Sequence, residues 1–379
     1  MGGALERLRV IDTTHVLAGP FAAYQLGVLG ADVIKIEDPN DPDQARMQGS
    51  DPALTDAAMG TAFLAQGSNK RCMALDLKTP EGRDALLALV EGADVFVENY
   101  RPGAFEALGL GYDALSARNP GLVYCSISAF GATGPRRAQT GYDNVIQAFC
   151  GMMAMTGTGD SGPLRCGAPV IDYATGTTAA FAITAALLHR ARTGRGQHVD
   201  VSMLDVALML MSAPLTGYLW NGAHPQPAGN DFFFATLGCY DTADEPLMIA
   251  ASNLGQQERL WRLLGHPEMI QSENNARIAA HAREKALLAE IFATRPAAAW
   301  EERLLAARIP AARVRRLEEA LADPQIAARG VLATNEGWGA QAQGLRVPLA
   351  GFTLSETPPK LRSAPQAVGA QGSCCRWHD

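Results

Sequence analysis

The 379-residue chain has little of what would tie it to a metal, a disulfide framework or nucleic acid. Its seven cysteines are an odd number with no C-x-x-C pair, which argues against a disulfide framework or a zinc cage. Cys374 and Cys375 stand side by side in a polar tail, where a frayed terminus is expected. Seven histidines form no H-x-x-x-H or H-x-H pair, so no metal site is expected and organic chemistry by side chains remains. Positive charge is also short. Lys and Arg number 32 against 39 Asp and Glu, a net charge of -7, which excludes nucleic acid or an anionic membrane as a general partner. A local basic patch for a phosphorylated small molecule stays open. No apolar stretch reads as transmembrane. The opening MGGALERLRVIDTTH lacks the order of a signal peptide, and no Ser or Thr completes a myristoylation signal. The expected compartment is the cytoplasm.

What is present is an ordinary globular composition, 47% hydrophobic and 19% charged, over a length that predicts two domains. Residues 8 to 37 read as strand, helix, strand: LRVIDTT is apolar and β-branched, GPFAAYQLGVLG has helical spacing, and ADVIKIE alternates. A second unit follows, with RCMALDL, a helix capped by Thr79 with Pro80 at its first position, and the strand DVFVEN. LVYCSIS adds a third such strand. Strands alternating with helices imply an α/β fold with a parallel sheet covered on both faces. The Ala-rich DYATGTTAAFAITAALLHRARTGRG predicts a helix ending near Gly194. Residues 1–200 are expected to form most of a large domain and 201–224 a linker helix. A small domain is expected at 225–328, opened by the Pro/Gly-rich break NGAHPQPAGND. Residues 329–379 would return to the large domain, with LRVPLAGFTLS rejoining the first sheet.

The first strand–loop–helix unit invites a dinucleotide reading, with Glu37 placed to hold a ribose hydroxyl. Its loop is THVLAGP, however, with Pro20 at the helix start and no G-x-G-x-x-G, so no nicotinamide or flavin site is expected. A Rossmann-like sheet serving another ligand fits better. Asp172, in GAPVIDYATG, is the acid that stands out. An aspartate before a helix is ordinarily its N-cap. The same placement suits a nucleophile: the helix dipole favours the ionised form, small neighbours leave room, and a carboxylate needs no histidine to activate it. Basic and polar residues at 69–71 (NKR), at Lys78 and in ENYRPG fall at strand ends, where they are either solvated surface charges or point charges for phosphates.

The stretches VIDTTHVLAGPFAAYQLGVLGADVIKIE, NKRCMALDLKTPEGR, ADVFVENYRPG, LGLGYDAL, GYDNVIQAFCGMMAMTG and ALLHRARTGRGQHVDVSMLD resemble the class III CoA-transferases, in order and over nearly the whole chain. The resemblance implies a Rossmann-like large domain built from both chain ends, a smaller inserted α+β domain, and two subunits interlocked as a homodimer. The apolar connector at 201–220 would pack against the partner chain. Asp172 falls on the family's catalytic aspartate. The implied route runs from an acyl-CoA donor through an aspartyl anhydride and an aspartyl-CoA thioester to a free organic carboxylate, without ATP or metal. Coenzyme A and acyl-CoA enter as substrates, with no tightly bound cofactor. His15, Val16, Ala18, Leu75, Lys78, Asn99, Tyr100 and Arg101 carry over as CoA contacts, and Leu17, Tyr142 and Met203 as the acyl pocket. His15 also reads as a strand-end histidine making a local hydrogen bond.

Some positions depart from the family pattern. Leu17 replaces a glutamine tied to oxalate and formate in formyl-CoA transferase, which points to a larger acid with a donor such as succinyl-CoA. Asp38 stands after KIE where an arginine is frequent, with Arg46 as a substitute. Thr140 replaces a lysine, with Arg136 and Arg137 nearby. The glycine-rich loop expected over the aspartate is not recognisable, though ATLGCYD and SNLGQQ fall in that region. Two other functions stay open at this point. An α-methylacyl-CoA racemase shares the fold but needs a His–Asp acid/base pair and has histidine where this chain has Tyr142. A CoA-binding protein without catalysis is the other.

Overall fold

The computed structural model describes residues 2–334, 344–372 and 376–377, so the Cys374–Cys375 pair lies outside the described residues. The chain divides into two compact units, one of residues 1–153, 165–225 and 327–379, the other of residues 154–164 and 226–326. Residues 154–164, read from sequence as part of the large domain, thus fall in the second unit.

The first unit is built on six strands: β1 (Arg9–Asp12), β2 (Asp32–Glu37), β3 (Lys70–Ala74), β4 (Val95–Glu98), β5 (Val123–Ser128) and β6 (His198–Ser202). They lie in the order β3-β2-β1-β4-β5-β6, and each neighbouring pair is parallel. The central strands are buried on both faces, as continuous runs such as Val95–Phe96–Val97 require. In chain order the helices are α1 (Ala18–Val28), α2 (Pro52–Asp56), α3 (Thr61–Gly67), α4 (Pro80–Val90), α5 (Ala104–Ala107), α6 (Tyr112–Arg118), α7 (Asp143–Phe149), α8 (Val170–Thr193), α9 (Met203–Leu210) and α10 (Ser212–Asn221). One face of the sheet buries Val10, Val33, Val97 and Cys125 against α1 and α8. The other buries Ile11, Ile34 and Phe96 against α4, α5 and α6. This is the expected parallel sheet covered on both sides. α4 opens as the sequence reads, with the Thr79 hydroxyl accepting from the Gly82 N–H at 3.1 Å.

Helices α1 and α8 approach closely because Gly176 faces α1. A Cβ on Gly176 would lie 2.5 Å from the Ala18 carbonyl oxygen. α8 is long and apolar enough to cross a membrane, contrary to the reading of the bare sequence. Here its Ile171, Ala179, Ile183 and Ala186 are buried in the core.

The expected linker helix at 201–224 takes another form. Val201 and Ser202 end β6, and α9 and α10 follow with a 77° bend between them. β6 was hidden in sequence by the apolar run after it, although HVDVS alternates. LRVPLAGFTLS does not rejoin the large sheet. Its β11 (Val347–Pro348) pairs antiparallel with β10 (Leu332–Ala333) in a separate ribbon. Pro348 has no N–H to extend a ladder. The returning chain still flanks β3, where the Gln366 side chain accepts from the Cys72 N–H at 2.9 Å and the Gln371 N–H reaches the Cys72 carbonyl at 3.0 Å.

In the second unit, β7 (Leu237–Asp241), β8 (Pro246–Ala250) and β9 (Ala311–Arg313) form an antiparallel sheet. Helices α11 (Leu254–Leu264), α12 (Asn274–Ala279), α13 (His281–Phe292) and α14 (Ala297–Ala306) belong to it, with Trp261, Phe292 and Trp300 in its core. ATLGCYD contains β7, and SNLGQQ forms the start of α11, where Asn253 and Gln256 make a capping box.

Candidate active site

The strand order reverses between β1 and β4, and the carboxyl ends of strands at such a point border a crevice. The loops leaving these strands are fastened to each other. The His15 N–H donates to Asn99 Oδ1 at 2.9 Å, and Asn99 Nδ2 donates to the His15 carbonyl at 2.8 Å. His15 Nε2 lies 2.6 Å from the Tyr100 hydroxyl, the local bond foreseen as one reading of that histidine. Burial and the Lys35 charge hold the His15 imidazole below its ordinary pKa. Val16 has a φ of 70°, a strained value for a β-branched residue. It is held there from both sides: its N–H donates to Asp43 at 2.9 Å, and its carbonyl accepts from Gln66 at 2.7 Å.

Beneath these loops lies a buried ionic layer. Lys70 pairs with Asp12 at 2.8 Å and Lys35 with Asp43 at 3.0 Å. Burial alone would raise the Asp12 carboxyl, but Lys70 and Lys35 bring it down to about 2. Lys35 Nζ also donates to the Thr14 carbonyl at 2.6 Å, and Lys70 Nζ to the Pro20 carbonyl at 2.7 Å, so both cations brace the β1–α1 loop.

This arrangement corrects several expectations. Lys70 and Arg71 begin β3 and Asn69 precedes it, so these residues do not fall at the crevice end of a strand. Lys70 is buried, Arg71 pairs with Asp32 at 2.6 Å, and Asn69 donates to the Gly27 carbonyl at 3.2 Å and the Lys360 carbonyl at 2.7 Å. Arg46 is also buried, gripping both Glu37 oxygens at 2.7 and 2.6 Å with its guanidinium 3.7 Å from the centre of the Phe63 ring. It therefore cannot serve as a surface phosphate contact, and Glu37 is not free for a ribose. Lys78 is largely exposed and reaches Asp38 at 3.1 Å.

Above this layer is a cavity of about 580 Å³, within the size range of small-molecule sites. Asp172 and the CoA-contact and acyl-pocket residues carried over from the resemblance all lie on its wall. His15, Val16, Leu17 and Ala18 come from the β1–α1 segment, and Leu75 and Lys78 from beyond β3. Asn99, Tyr100 and Arg101 follow β4, Tyr142 precedes α7, Asp172 lies in α8 and Met203 starts α9. Gln139 and Thr140 also line it, as do Asp38 and Asp41. Arg136 donates to the Gln139 side chain at 2.8 Å.

Asp172 does not cap its helix. The N-cap is Pro169, and Asp172 is the third helical residue. The cap comes from Asp143 at the start of α7, whose Oδ2 accepts from the N–H groups of Ile171 at 2.7 Å and Asp172 at 3.1 Å. Asp143 is the residue beside Asp172 that the sequence did not single out. Its signal was its place beside Tyr142, but its partner lies 29 residues away. The surroundings of Asp172 work against the helix dipole, which would favour its ionised form. Burial and the neighbouring Asp143 charge push its carboxyl up to about 7. The site thus presents a half-buried carboxylate of raised basicity on a cavity wall, relieved of any capping duty.

The sequence profile of CoA-transferase family III matches residues 5–371. The chain belongs to CoA-transferase family III. This transferase is 37% identical to succinate–glutarate CoA-transferase of Agrobacterium fabrum, across 96% of this chain and 93% of that protein. It is also 37% identical to succinyl-CoA:mesaconate CoA-transferase of Haloarcula hispanica, across 99% and 94%. Among solved structures, a CaiB/BaiF family protein from Brucella suis superposes with a TM-score of 0.84 at 33% identity, covering 98% of each chain. The transferase accordingly uses CoA thioesters and moves CoA between an acyl-CoA and a carboxylate. Among the described residues no group of His, Cys, Asp or Glu side chains is arranged to hold a metal ion.

Proposed function

We propose that Asp172 carries CoA transfer covalently, with succinyl-CoA as donor and a larger organic acid as acceptor. The observation that supports this most is the Asp172 carboxylate itself, basic, uncommitted to its helix and on the wall of the cavity. Its oxygen attacks the donor thioester carbonyl, the C–S bond breaks, and CoA thiolate leaves an aspartyl mixed anhydride. The thiolate attacks the Asp172 carbonyl and releases the donor carboxylate, giving an aspartyl-CoA thioester. The acceptor carboxylate attacks that thioester, and the freed thiolate takes the acceptor acyl group, regenerating Asp172. Every step exchanges one acyl bond for another, so no net proton moves and the thioester energy is kept.

In this reading the CoA chain runs over His15, Val16, Ala18, Leu75, Lys78, Asn99, Tyr100 and Arg101, while Leu17, Tyr142 and Met203 enclose the acyl group. The relatives whose names include succinate or succinyl-CoA support the donor, and Leu17 favours it over the smallest acids. The transferase acts in the cytoplasm as an interlocked homodimer. Supporting the dimer, α8 and α10 leave Phe181, Leu188, Leu219 and Trp220 exposed, Trp220 by 88%. A single subunit seldom leaves so many large apolar side chains in water.

Intact-protein mass spectrometry after mixing with acyl-CoAs and then hydroxylamine tests the covalent route. A hydroxamate at Asp172, strongest with succinyl-CoA and lost in Asp172→Ala, is the expected result. Exchange that survives Asp172→Ala refutes the nucleophile. Turnover only with formate or oxalate in a panel of acids refutes the larger acceptor.

A further inference from the structure

The nucleophile is held through a chain of buried polar groups that starts on another helix. Asp143 Oδ2 grips the first turn of α8 through the N–H groups of Ile171 and Asp172. Its Oδ1 accepts from Gln147 Nε2, one turn along α7. Gln147 Oε1 in turn accepts from the Cys166 N–H at 2.9 Å, on the segment that leads into α8. Asp143 is 8% exposed and Gln147 is wholly buried, so water does not compete for these bonds. One carboxylate and one amide thus tie together the start of α7, the approach to α8 and the peptide of the nucleophile itself.

From this geometry we infer that Asp143 is a positioning residue for the exchange on Asp172, fixing the first turn of α8 and placing a fixed negative charge beside the reacting carboxylate. The inference rests on Asp172 being the nucleophile. An ordinary aspartate is a weak base and hence a weak nucleophile. One whose basicity is raised toward the working pH attacks better while a large fraction stays ionised. A neutral cap such as serine or asparagine would fix the helix equally well and leave that basicity lower.

The other titratable groups on elements packed against α8 do not account for the effect. α1 carries no charged residue and only Tyr24, while β5 offers Tyr124 and Cys125. α9 contributes Asp205, and β6 contributes His198 and Asp200. On α8 itself Tyr173 adjoins the acid, and His189, Arg190 and Arg192 lie at the far end. Beyond burial, Asp143 is the group that raises the Asp172 carboxyl.

The test is Asp143→Asn, which keeps an acceptor oxygen for the cap and removes the charge. With succinyl-CoA as donor and glutarate as acceptor the variant is expected to hold KM within about twofold and lose about tenfold or more in kcat. The acidic limb of kcat/KM against pH, expected near 7 in the wild type, should move down by half a pH unit or more in the variant. An unmoved limb, whether or not kcat or Tm falls, overturns the inference, because a merely structural cap would leave it there. Should Asp143→Asn fail to fold, Asp143→Glu decides. It keeps the charge and is expected to retain the wild-type limb, and a limb in the ordinary carboxylate range overturns the role. Hydroxylamine labelling separates the two readings. Label at Asp172 in the wild type with an unaltered Asp143→Asn refutes only the positioning role, whereas exchange surviving Asp172→Ala refutes both.

Discussion

Gly176→Ala sets helix propensity against tertiary packing, and the two predict opposite signs. In an exposed helix interior the change would stabilise by about 0.5–1 kcal/mol, since glycine is the poorer helix former. Here the new methyl would meet the Ala18 carbonyl oxygen at 2.5 Å, the Phe21 ring at 3.0 Å and the Ala22 nitrogen at 3.2 Å. Two of these are backbone atoms of α1 and cannot rotate away, so the helices must part. Overpacking costs about 1–3 kcal/mol, and a 2.5 Å approach to a backbone oxygen puts this case at about 2–3 kcal/mol, so after the propensity gain a net loss of about 1–2.5 kcal/mol remains. For a unit of this size that lowers Tm by roughly 2–10 °C. Gly176 follows Asp172 by one helical turn, so the displacement also reaches the reacting carboxylate, and kcat should fall more than KM changes. Thermal unfolding by circular dichroism, with steady-state exchange kinetics on the same sample, measures both. A Tm equal to or above that of the wild type would refute the close-packing argument.

Two further predictions follow from burial. Glu284 in α13 is 1% exposed, and burial raises its carboxyl. Because its pKa is higher folded than unfolded, its stabilising contribution is present at acid pH and fades as pH rises through the folded value. Glu284→Gln should therefore stabilise at neutral pH, with the gain shrinking as the buffer is made acidic. A denaturation midpoint shift that stays constant with pH counts against it. If the proposed dimer uses the exposed apolar face of α10, Trp220→Glu places a charge there and should shift the transferase toward monomer in sedimentation. An unchanged sedimentation coefficient removes that face from the interface.

How much could be read beforehand depended on range. β2 was visible in ADVIKIE because the alternation of Val33, Lys35 and Glu37 with Ile34 and Ile36 leaves its mark within six residues. β6 was not, because the short alternation of HVDVS runs straight into the apolar α9. The acid on the wall of the cavity was legible from its small neighbours and the resemblance. Its environment was not: the cap comes from Asp143, and a partner 29 residues distant leaves no local pattern. Lys70 and Arg46 were misread for a related reason. Sequence shows that a residue is charged and near a strand end, but not which end faces the ligand or whether a tertiary carboxylate already holds it.

The irregular cover on β3 has a consequence for how the chain is made. The strand order of the large sheet is complete once Ser202 has been synthesised. The residues that flank the β3 edge, from Lys360 to Gln371, come only after the whole second unit. For that interval a nascent chain can carry a folded sheet with its β3 edge open to pairing with another chain. The late segment closes it with a few bonds and no ladder of its own, so the cover does not become a new edge. The C-terminal return thus covers a strand edge that would otherwise stay open to pairing.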